Sequence, residues 1–207
     1  RAVLVLPPHW QTAVWLMACW YAGLEAVPVD AADFEPGRLD GPYLLVAAEE
    51  VLDGMLTDTG AEEIVGLSLH ALGGALAECP PGVVDYAIEV RAHGDRFVPA
   101  PGVTPETRVL SVTNTTLTGA ELVEAARETA GKWALDAGDR VLVDMPFTTL
   151  DGLLVGLLAP LASGASVIIQ RNFDESTLDR RITVEHVTAV AGAPGWNDAT
   201  GRVRRLL

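Results

Sequence analysis

Hydroxyl side chains are concentrated in one short segment, residues 111–119, with the sequence SVTNTTLTG. The segment lies between a predicted strand and a predicted helix, which is where an α/β sheet places its ligands. A helix N-terminus at such a point offers unpaired N–H groups and a partial positive charge to an anion. Thr113, Asn114, Thr115 and Thr116 are therefore the candidate phosphate-binding residues.

The same segment has a second interpretation, an ordinary capped turn. A phosphate loop needs glycines for close backbone approach and usually a lysine. This segment contains one glycine, Gly119, and no lysine. Thr118 and Glu121 have the spacing of a capping box, so their side chains would bond the same N–H groups that a phosphate would need.

The rest of the sequence contains no motif for catalysis or metal binding. The four histidines lack metal-ligand spacing, and no GxSxG or Cys–His signature is present. We therefore predict neither a catalytic residue nor a metal site. His9 follows one predicted strand and Asp144 ends another, on a plausible ligand rim, but a loop histidine and a turn-forming carboxylate are the alternative interpretations.

Composition and charge limit the partners and the compartment. The net charge of −14 excludes nucleic acid and an anionic membrane surface as partners, since both need a basic footprint. The longest apolar run, residues 13–24, is too short to span a bilayer. Cys19 and Cys79, widely separated, are predicted to be buried reduced thiols, so we expect a cytoplasmic protein without membrane contact.

Short apolar runs alternate with helical stretches along the chain. This alternation predicts an α/β fold of mostly parallel sheets flanked by helices. Residues 93–106 contain much glycine and proline, which is typical of a linker or crossover. The predicted organisation is a first α/β subdomain over 1–92 and a second over 107–207, packed on the first. The predicted strands are 2–6, 27–29, 43–47, 63–69, 108–112, 140–144, 166–170 and 186–191, and the predicted helices are 10–23, a helix from about 48, 82–92, 119–135 and 150–162.

Three stretches resemble the AMP-binding superfamily of acyl-CoA synthetases, adenylation domains and luciferases. Residues 1–30 are similar to an early strand, apolar helix and short "PV" strand. Residues 138–170 are similar to a segment with a GD-R-V-L start, a P-aromatic turn and a G-A-x-V strand, and residues 182–194 end in the pattern V-T-x-x-x-G-x-P. The resemblance implies the fold of the superfamily's N-terminal subdomains, and it implies an acyl pocket with Thr149, Gly152, Gly192 and Pro194 among its residues.

The chain departs from the superfamily at the residues that would carry its chemistry. The phosphate loop lacks its lysine and most of its glycines, and Thr149 stands where a histidine would fall. Lys132, the only lysine, matches neither lysine of the superfamily, and the chain stops before the adenine and ribose motifs. The resemblance therefore implies a truncated, degenerate and non-catalytic relative of an acyl-CoA synthetase N-terminal domain, with no cofactor, that acts by binding or assembly.

Two alternatives stay open at this stage. One is a component of an AMP-dependent carboxylate–CoA ligase, using ATP and AMP with residues or a partner not present here. The other is a binder of a small acyl ligand. For assembly we predict a homodimer that buries part of the C-terminal region, where segments 184–194 and 203–207 contain apolar runs. In the alternative, Trp196, Leu206 and Leu207 fold back onto the sheet of the same subunit.

Overall fold

The computed structural model describes residues 1–37, 39–56, 60–98, 100–171, 175–198 and 200–207. The chain folds into two compact units, each with its own sheet. Unit 1 contains residues 1–7 and 11–119, and unit 2 contains residues 8–10 and 120–207.

Unit 1 contains a seven-stranded sheet with the order β5-β4-β3-β1-β2-β6-β7. Neighbouring strands are parallel except β6 and β7, which form an antiparallel pair. The central strands β1 and β3 are apolar throughout, as expected for strands covered on both faces. The strands are β1 (Ala2–Val5), β2 (Ala26–Pro28), β3 (Leu44–Ala48), β4 (Glu63–Leu67), β5 (Val83–Asp85), β6 (Arg108–Val112) and β7 (Thr115–Thr118).

Helices cover both faces of this sheet. They are α1 (Trp10–Tyr21), α2 (Glu49–Met55) and α3 (Tyr86–Glu89), the last continued by a 3₁₀ turn, Val90–Ala92. The steps from β1 to β2 and from β3 to β4 run in opposite directions across the sheet, so right-handed crossovers place α1 and α2 on opposite faces. Leu52 and Met55 of α2 pack with Leu45 and Val3 in a buried core on one face.

Unit 2 contains a four-stranded parallel sheet with the order β11-β10-β8-β9. Its strands are β8 (Arg140–Asp144), β9 (Ser166–Ile169), β10 (Ala189–Gly192) and β11 (Arg204–Arg205), and its helices are α4 (Gly119–Lys132), α5 (Leu150–Leu153), α6 (Ala159–Ser163) and α7 (Glu175–Glu185). A core of Leu142, Leu178, Val190 and Trp196 joins this sheet to α7.

A π-helical turn, Leu154–Leu158, connects α5 to α6, and all five of its residues are buried. Gly156 allows this turn to approach β8 closely, because a Cβ atom there would lie 2.7 Å from Val143 Cγ1. The helical stretch ends at Gly164, whose φ of 78° is the left-handed conformation that glycine adopts without strain.

The fold class predicted from the sequence is confirmed, since both sheets are mostly parallel and flanked by helices. Four elements differ from the prediction: Val83–Asp85 is a strand and not the start of a helix, and β7, α7 and β11 were not predicted. Strand β6 bonds to β2 in the first sheet, so the units divide after Gly119, later than the predicted start at 107. Of the predicted linker 93–106, Pro99 lies outside the described residues.

Both cysteines are free thiols. Cys19 is buried as predicted, but Cys79 is exposed, so the prediction of two buried thiols is wrong for Cys79. Burial raises the pKa of the Cys19 thiol to about 11. Within the described part of the chain, no helix has the length and apolar character needed to cross a membrane.

Candidate functional site

The candidate phosphate loop is a β-hairpin in unit 1. Strands β6 and β7 pair with Val112 opposite Thr115 and Ser111 opposite Thr116, so Thr113 and Asn114 form a two-residue turn. Thr113 has a φ of 53°, which is uncommon for a β-branched residue. Strand β7 separates this turn from α4, which begins at Gly119. The four candidate residues are exposed. Because β7 lies between them and α4, they are not at a helix N-terminus.

The hydroxyl groups of this hairpin bond to one another and to a carboxylate. Ser111 Oγ donates to Glu25 Oε1 at 2.5 Å, and it lies 2.8 Å from Thr116 Oγ1. Because the Ser111 proton is directed to Glu25, Thr116 is the donor in the second bond. A phosphate needs donors and positive charge, whereas this network ends on a negative oxygen.

The other predicted residues lie near the carboxyl edge of the four-stranded sheet in unit 2. Asp144 ends β8 and is the register partner of Gly192, which ends β10. Gly192 has a φ of 89°, and a Cβ atom there would overlap the Asp144 carbonyl oxygen and lie 2.9 Å from Met145 Cγ. This position accepts only glycine, because the chain after β8 passes directly against it.

Thr149 and Gly152 form the turn that starts α5. Thr149 is the N-cap: its Oγ1 accepts a hydrogen bond from the Gly152 amide at 3.1 Å and donates to the Pro146 carbonyl at 3.2 Å. A Cβ atom on Gly152 would overlap the Pro146 carbonyl oxygen. The Thr149 hydroxyl is thus used in local structure, as expected for an N-cap threonine.

The structure brings three of the four predicted pocket residues against one segment, Asp144-Met145-Pro146. Gly192 lies against the Asp144 carbonyl group and the Met145 side chain. Thr149 and Gly152 both lie against the Pro146 carbonyl group. Pro194 follows Gly192 by two residues and is exposed in the next turn. These residues shape the carboxyl edge of the sheet, which is where open parallel sheets bind ligands.

Two polar side chains at this edge differ from ordinary surface groups. Burial raises the pKa of Asp144, so its carboxyl holds a proton more readily than a solvated aspartate does. Gln170 directly follows β9 and is 4% exposed. Its Oε1 atom accepts no hydrogen bond from the described residues. Gln170 was missed in the sequence, where its signal is a single amide at the end of the apolar run Val167–Ile169.

His9 also belongs to unit 2, beside Trp10 at a ring distance of 5.6 Å. Burial, and secondarily the charge of Arg171, lower the pKa of His9, so the ring is neutral at pH 7. A neutral imidazole can donate one hydrogen bond and accept another. Among the residues that the structure describes, no three His, Cys, Asp or Glu side chains are grouped so as to hold a metal ion.

Solved structures of acyl-CoA synthetases share this fold. Apo MatB from Rhodopseudomonas palustris matches with a TM-score of 0.71 at 17% identity, covering 94% of this chain and 39% of MatB. An acyl-CoA synthetase from Brucella canis gives a TM-score of 0.74 at 17% identity, covering 93% of this chain and 37% of its own. A benzoate CoA ligase from Burkholderia xenovorans LB400 gives 0.71 at 15% identity, covering 98% of this chain and 43% of its own.

The predicted resemblance to AMP-binding acyl-CoA synthetases is thus confirmed at the level of the fold, and this chain spans about two fifths of those proteins. No family model matches the sequence. A "TIGR03089 family protein" of Mycobacterium tuberculosis (strain ATCC 25618 / H37Rv) is 36% identical over 197 residues, which cover 92% of this chain and 73% of that protein. Since the identity extends over most of both chains, this protein belongs to the TIGR03089 family.

Proposed function

We propose that this chain is a non-catalytic relative of the acyl-CoA synthetases, which acts by binding or assembly and forms no acyl-adenylate. The observation that carries the proposal is the β6–β7 hairpin. Its hydroxyls are engaged by the Glu25 carboxylate through Ser111, where a phosphate would need donors and positive charge.

The energetics of phosphoryl chemistry support this proposal. Loss of one electrostatic contact to a developing charge costs about 2.7–4 kcal/mol of transition-state stabilisation. This chain has no lysine in the hairpin, and the Glu25 carboxylate, which accepts a hydrogen bond from Ser111, would repel a triphosphate. Lys132 ends α4, with its ammonium group 5.2 Å from the Trp133 ring centroid.

The test is ATP–pyrophosphate exchange by the purified protein with fatty and aromatic acids, and an active acyl-CoA synthetase serves as positive control. We expect no exchange and no change in melting temperature with ATP. Reproducible exchange that is lost when Thr115 or Thr116 is changed to Val would overturn the proposal. A Glu25→Gln variant should bind ATP more tightly than the wild type, because it removes the repulsive charge and keeps the acceptor oxygen.

A second candidate is a component of an ATP-dependent carboxylate–CoA ligase, and the shared fold favours it. In this version the missing phosphate contacts come from a partner chain or from residues outside 1–207. Exchange activity that appears only when the chain is mixed with such a partner would support it. ATP that stabilises the chain by itself would also favour this candidate over the first.

The carboxyl edge of the four-stranded sheet is the proposed site for a small acyl ligand in either version. Thr149, Gly152, Gly192 and Pro194 shape it, and Gln170 provides an unused acceptor. Saturation-transfer NMR with short acyl amides and acyl-CoA tests the site. A signal that persists in a Gln170→Leu variant would place the ligand elsewhere.

For assembly we propose a cytoplasmic homodimer whose interface lies on exposed residues of the C-terminal region. Trp196 and Leu206 are buried within this chain, as in the fold-back alternative, so they do not form the interface. Val184 is 65% exposed and Leu207 is 45% exposed, and both remain accessible to a second copy. Light scattering over a dilution series decides: a protein that remains monomeric at high concentration is not the proposed dimer.

A further inference from the structure

A second cleft, of about 480 Å³, lies within unit 1 and is separate from the proposed acyl site. Its floor is one face of strands β3, β4 and β5, where Val65 is the register partner of Val84 and Glu63 that of Leu44. Leu45 and Val83, at alternate positions, belong to the core on the opposite face. The cleft therefore lies on the face of the sheet that α2 does not cover.

An aromatic pair forms one wall of this cleft. Trp15 of α1 and Tyr86 of α3 are both lining residues, with ring centroids 5.6 Å apart and an interplanar angle of 54°. Burial raises the pKa of the Tyr86 hydroxyl. Apolar and aromatic walls around a volume of this size are typical of small-molecule sites.

The Trp15 indole differs from those of Trp20 and Trp196, whose N–H groups are bonded. Trp20 Nε1 donates to the Val109 carbonyl at 2.7 Å, and Trp196 Nε1 donates to Asp179 Oδ1 at 3.1 Å. Trp15 Nε1 is also buried, yet it finds no acceptor in the described part of the chain. Buried indole N–H groups usually have a partner, so this donor indicates an acceptor that the described residues do not supply.

The charged residues that line the cleft are acidic. Glu63 lies at the start of β4, and Glu89 ends α3 with its carboxylate 3.7 Å from His93 Nε2. These carboxylates favour a cation at the rim, in keeping with the net charge of −14.

We infer that this cleft binds a small organic cation: an amine on an aromatic body that carries a hydrogen-bond acceptor. The ammonium group pairs with Glu63 and Glu89 at the rim. The aromatic body of the ligand packs on Val65 and Val84. Its hydrogen-bond acceptor reaches the buried Trp15 Nε1 after a small shift of the neighbouring Tyr86 ring. The inference does not depend on the proposed function, because the two sites share no residue.

Three probes with the same aromatic body test the inference on the whole chain. Tyramine carries the cation, tyrosol replaces it with a neutral hydroxyl, and 4-hydroxyphenylacetate replaces it with an anion. Calorimetry should show tyramine binding about tenfold more tightly than tyrosol, because only tyramine gains the two ion pairs, and the anion should not bind. Equal affinity for tyramine and tyrosol, or no tyramine binding at millimolar concentration, would overturn the inference.

Single variants locate the binding. Glu63→Gln and Glu89→Gln should each weaken tyramine binding about fivefold, as expected for the loss of one exposed ion pair. Glu124→Gln on the exposed surface of α4 is the matched control and should change nothing. Tyramine should also shift the indole ¹H–¹⁵N signal that a Trp15→Phe variant lacks. If Glu124→Gln weakens tyramine binding as much as Glu89→Gln does, the cation binds elsewhere. The same conclusion follows if the Trp15 signal does not shift at saturating tyramine.

Discussion

The two ends of strand β8 each carry an aspartate, but the two carboxylates are in opposite situations. At the amino end, Asp139 accepts hydrogen bonds from Arg204 Nη2 at 2.5 Å, Thr188 Oγ1 at 2.7 Å and the Asp136 amide at 2.9 Å. Arg204 also donates to the Trp133 carbonyl just beyond α4. The Asp139 carboxylate thus links the start of β8 to the start of β10 and to β11, and Arg204 extends the network to the residue after α4.

At the carboxyl end, Asp144 has no such network among the described hydrogen bonds, and burial raises its pKa. Burial also acts to raise the pKa of Asp139, but hydrogen bonds from Arg204, Thr188 and the Asp136 amide outweigh it and lower that pKa overall. The network at the amino end therefore stabilises the sheet. At the carboxyl end, the described residues leave Gln170 Oε1 without a hydrogen bond, close to the turns where Gly152 and Gly192 allow tight backbone contacts. Polar groups with few partners in the protein are suited to binding a ligand.

The largest effect is expected at the carboxyl end, from Gly192→Ala. The methyl group would overlap the Asp144 carbonyl oxygen at a left-handed φ, so we expect a loss of about 4 kcal/mol in the free energy of unfolding. Gly164→Ala is the matched control, since its φ is 78° and its Cβ atom would meet only Ala137 at 3.4 Å. The control should lose about 1 kcal/mol in urea unfolding. Equal losses would mean that the approach of β10 to Asp144 is not tight.

The next effect concerns the two aspartates directly. Asp139→Asn should lose about 2–3 kcal/mol, because it weakens charge-assisted hydrogen bonds to a partner that is 40% exposed and so partly screened. Asp144→Asn should change stability by less than about 0.5 kcal/mol, or increase it slightly, because it removes a partly desolvated charge. If Asp144→Asn lowers the free energy of unfolding as much as Asp139→Asn does, the two carboxylates contribute equally to stability and the contrast between the two ends is wrong.

The same pair of variants should show opposite pH dependence. The pKa of Asp139 is lowered on folding, so its contribution is complete above its ordinary pKa of 3.8 and is lost as the pH falls through the folded pKa. The stability difference between wild type and Asp139→Asn should therefore shrink below about pH 4. The pKa of Asp144 is raised, so the wild type should lose stability relative to Asp144→Asn as the pH rises above 3.8. Thermal unfolding from acidic to neutral pH measures both trends.

The smallest effect on stability is expected from Gln170→Leu. A buried amide oxygen without a partner destabilises the fold, and a leucine of similar size removes that cost. The free energy of unfolding should therefore change by less than about 1 kcal/mol in either direction. The variant should nevertheless abolish binding of a small acyl amide at the carboxyl edge. A loss of several kcal/mol in unfolding would show that Gln170 is bonded in solution and belongs to the stabilising part of the sheet.

Much of the fold followed from local sequence patterns. Apolar runs predicted β1, β3 and β8, and the helices from Trp10 and Gly119 begin where the sequence places them. These segments are apolar or strongly patterned over several residues, and burial on both faces of a sheet leaves such segments few other conformations. The resemblance in residues 138–170 also led to the correct fold.

The elements that were missed depend on their partners. Strand β7 consists mainly of threonines and is extended because it pairs with β6, and β11 has only two residues held by β10. Residues Val83–Asp85 form a strand because they pair with β4, and Asp85 then caps α3 by accepting from the Ala87 amide at 2.9 Å. No local pattern records such pairings.

The sequence by itself determined the α/β class and the parallel strands. It also determined that residues 111–119 contain one glycine and no lysine, and it fixed the positions of Thr149, Gly152 and Gly192. Only the tertiary structure decided what surrounds those positions. It brought Glu25 to Ser111 across 86 residues and bonded Arg204 to Asp139. It also left Gln170 Oε1 and Trp15 Nε1 without a hydrogen-bond partner among the described residues. The physical reason is that strand periodicity and turn chemistry are local properties, whereas burial and hydrogen-bond partnership depend on residues far apart in the chain.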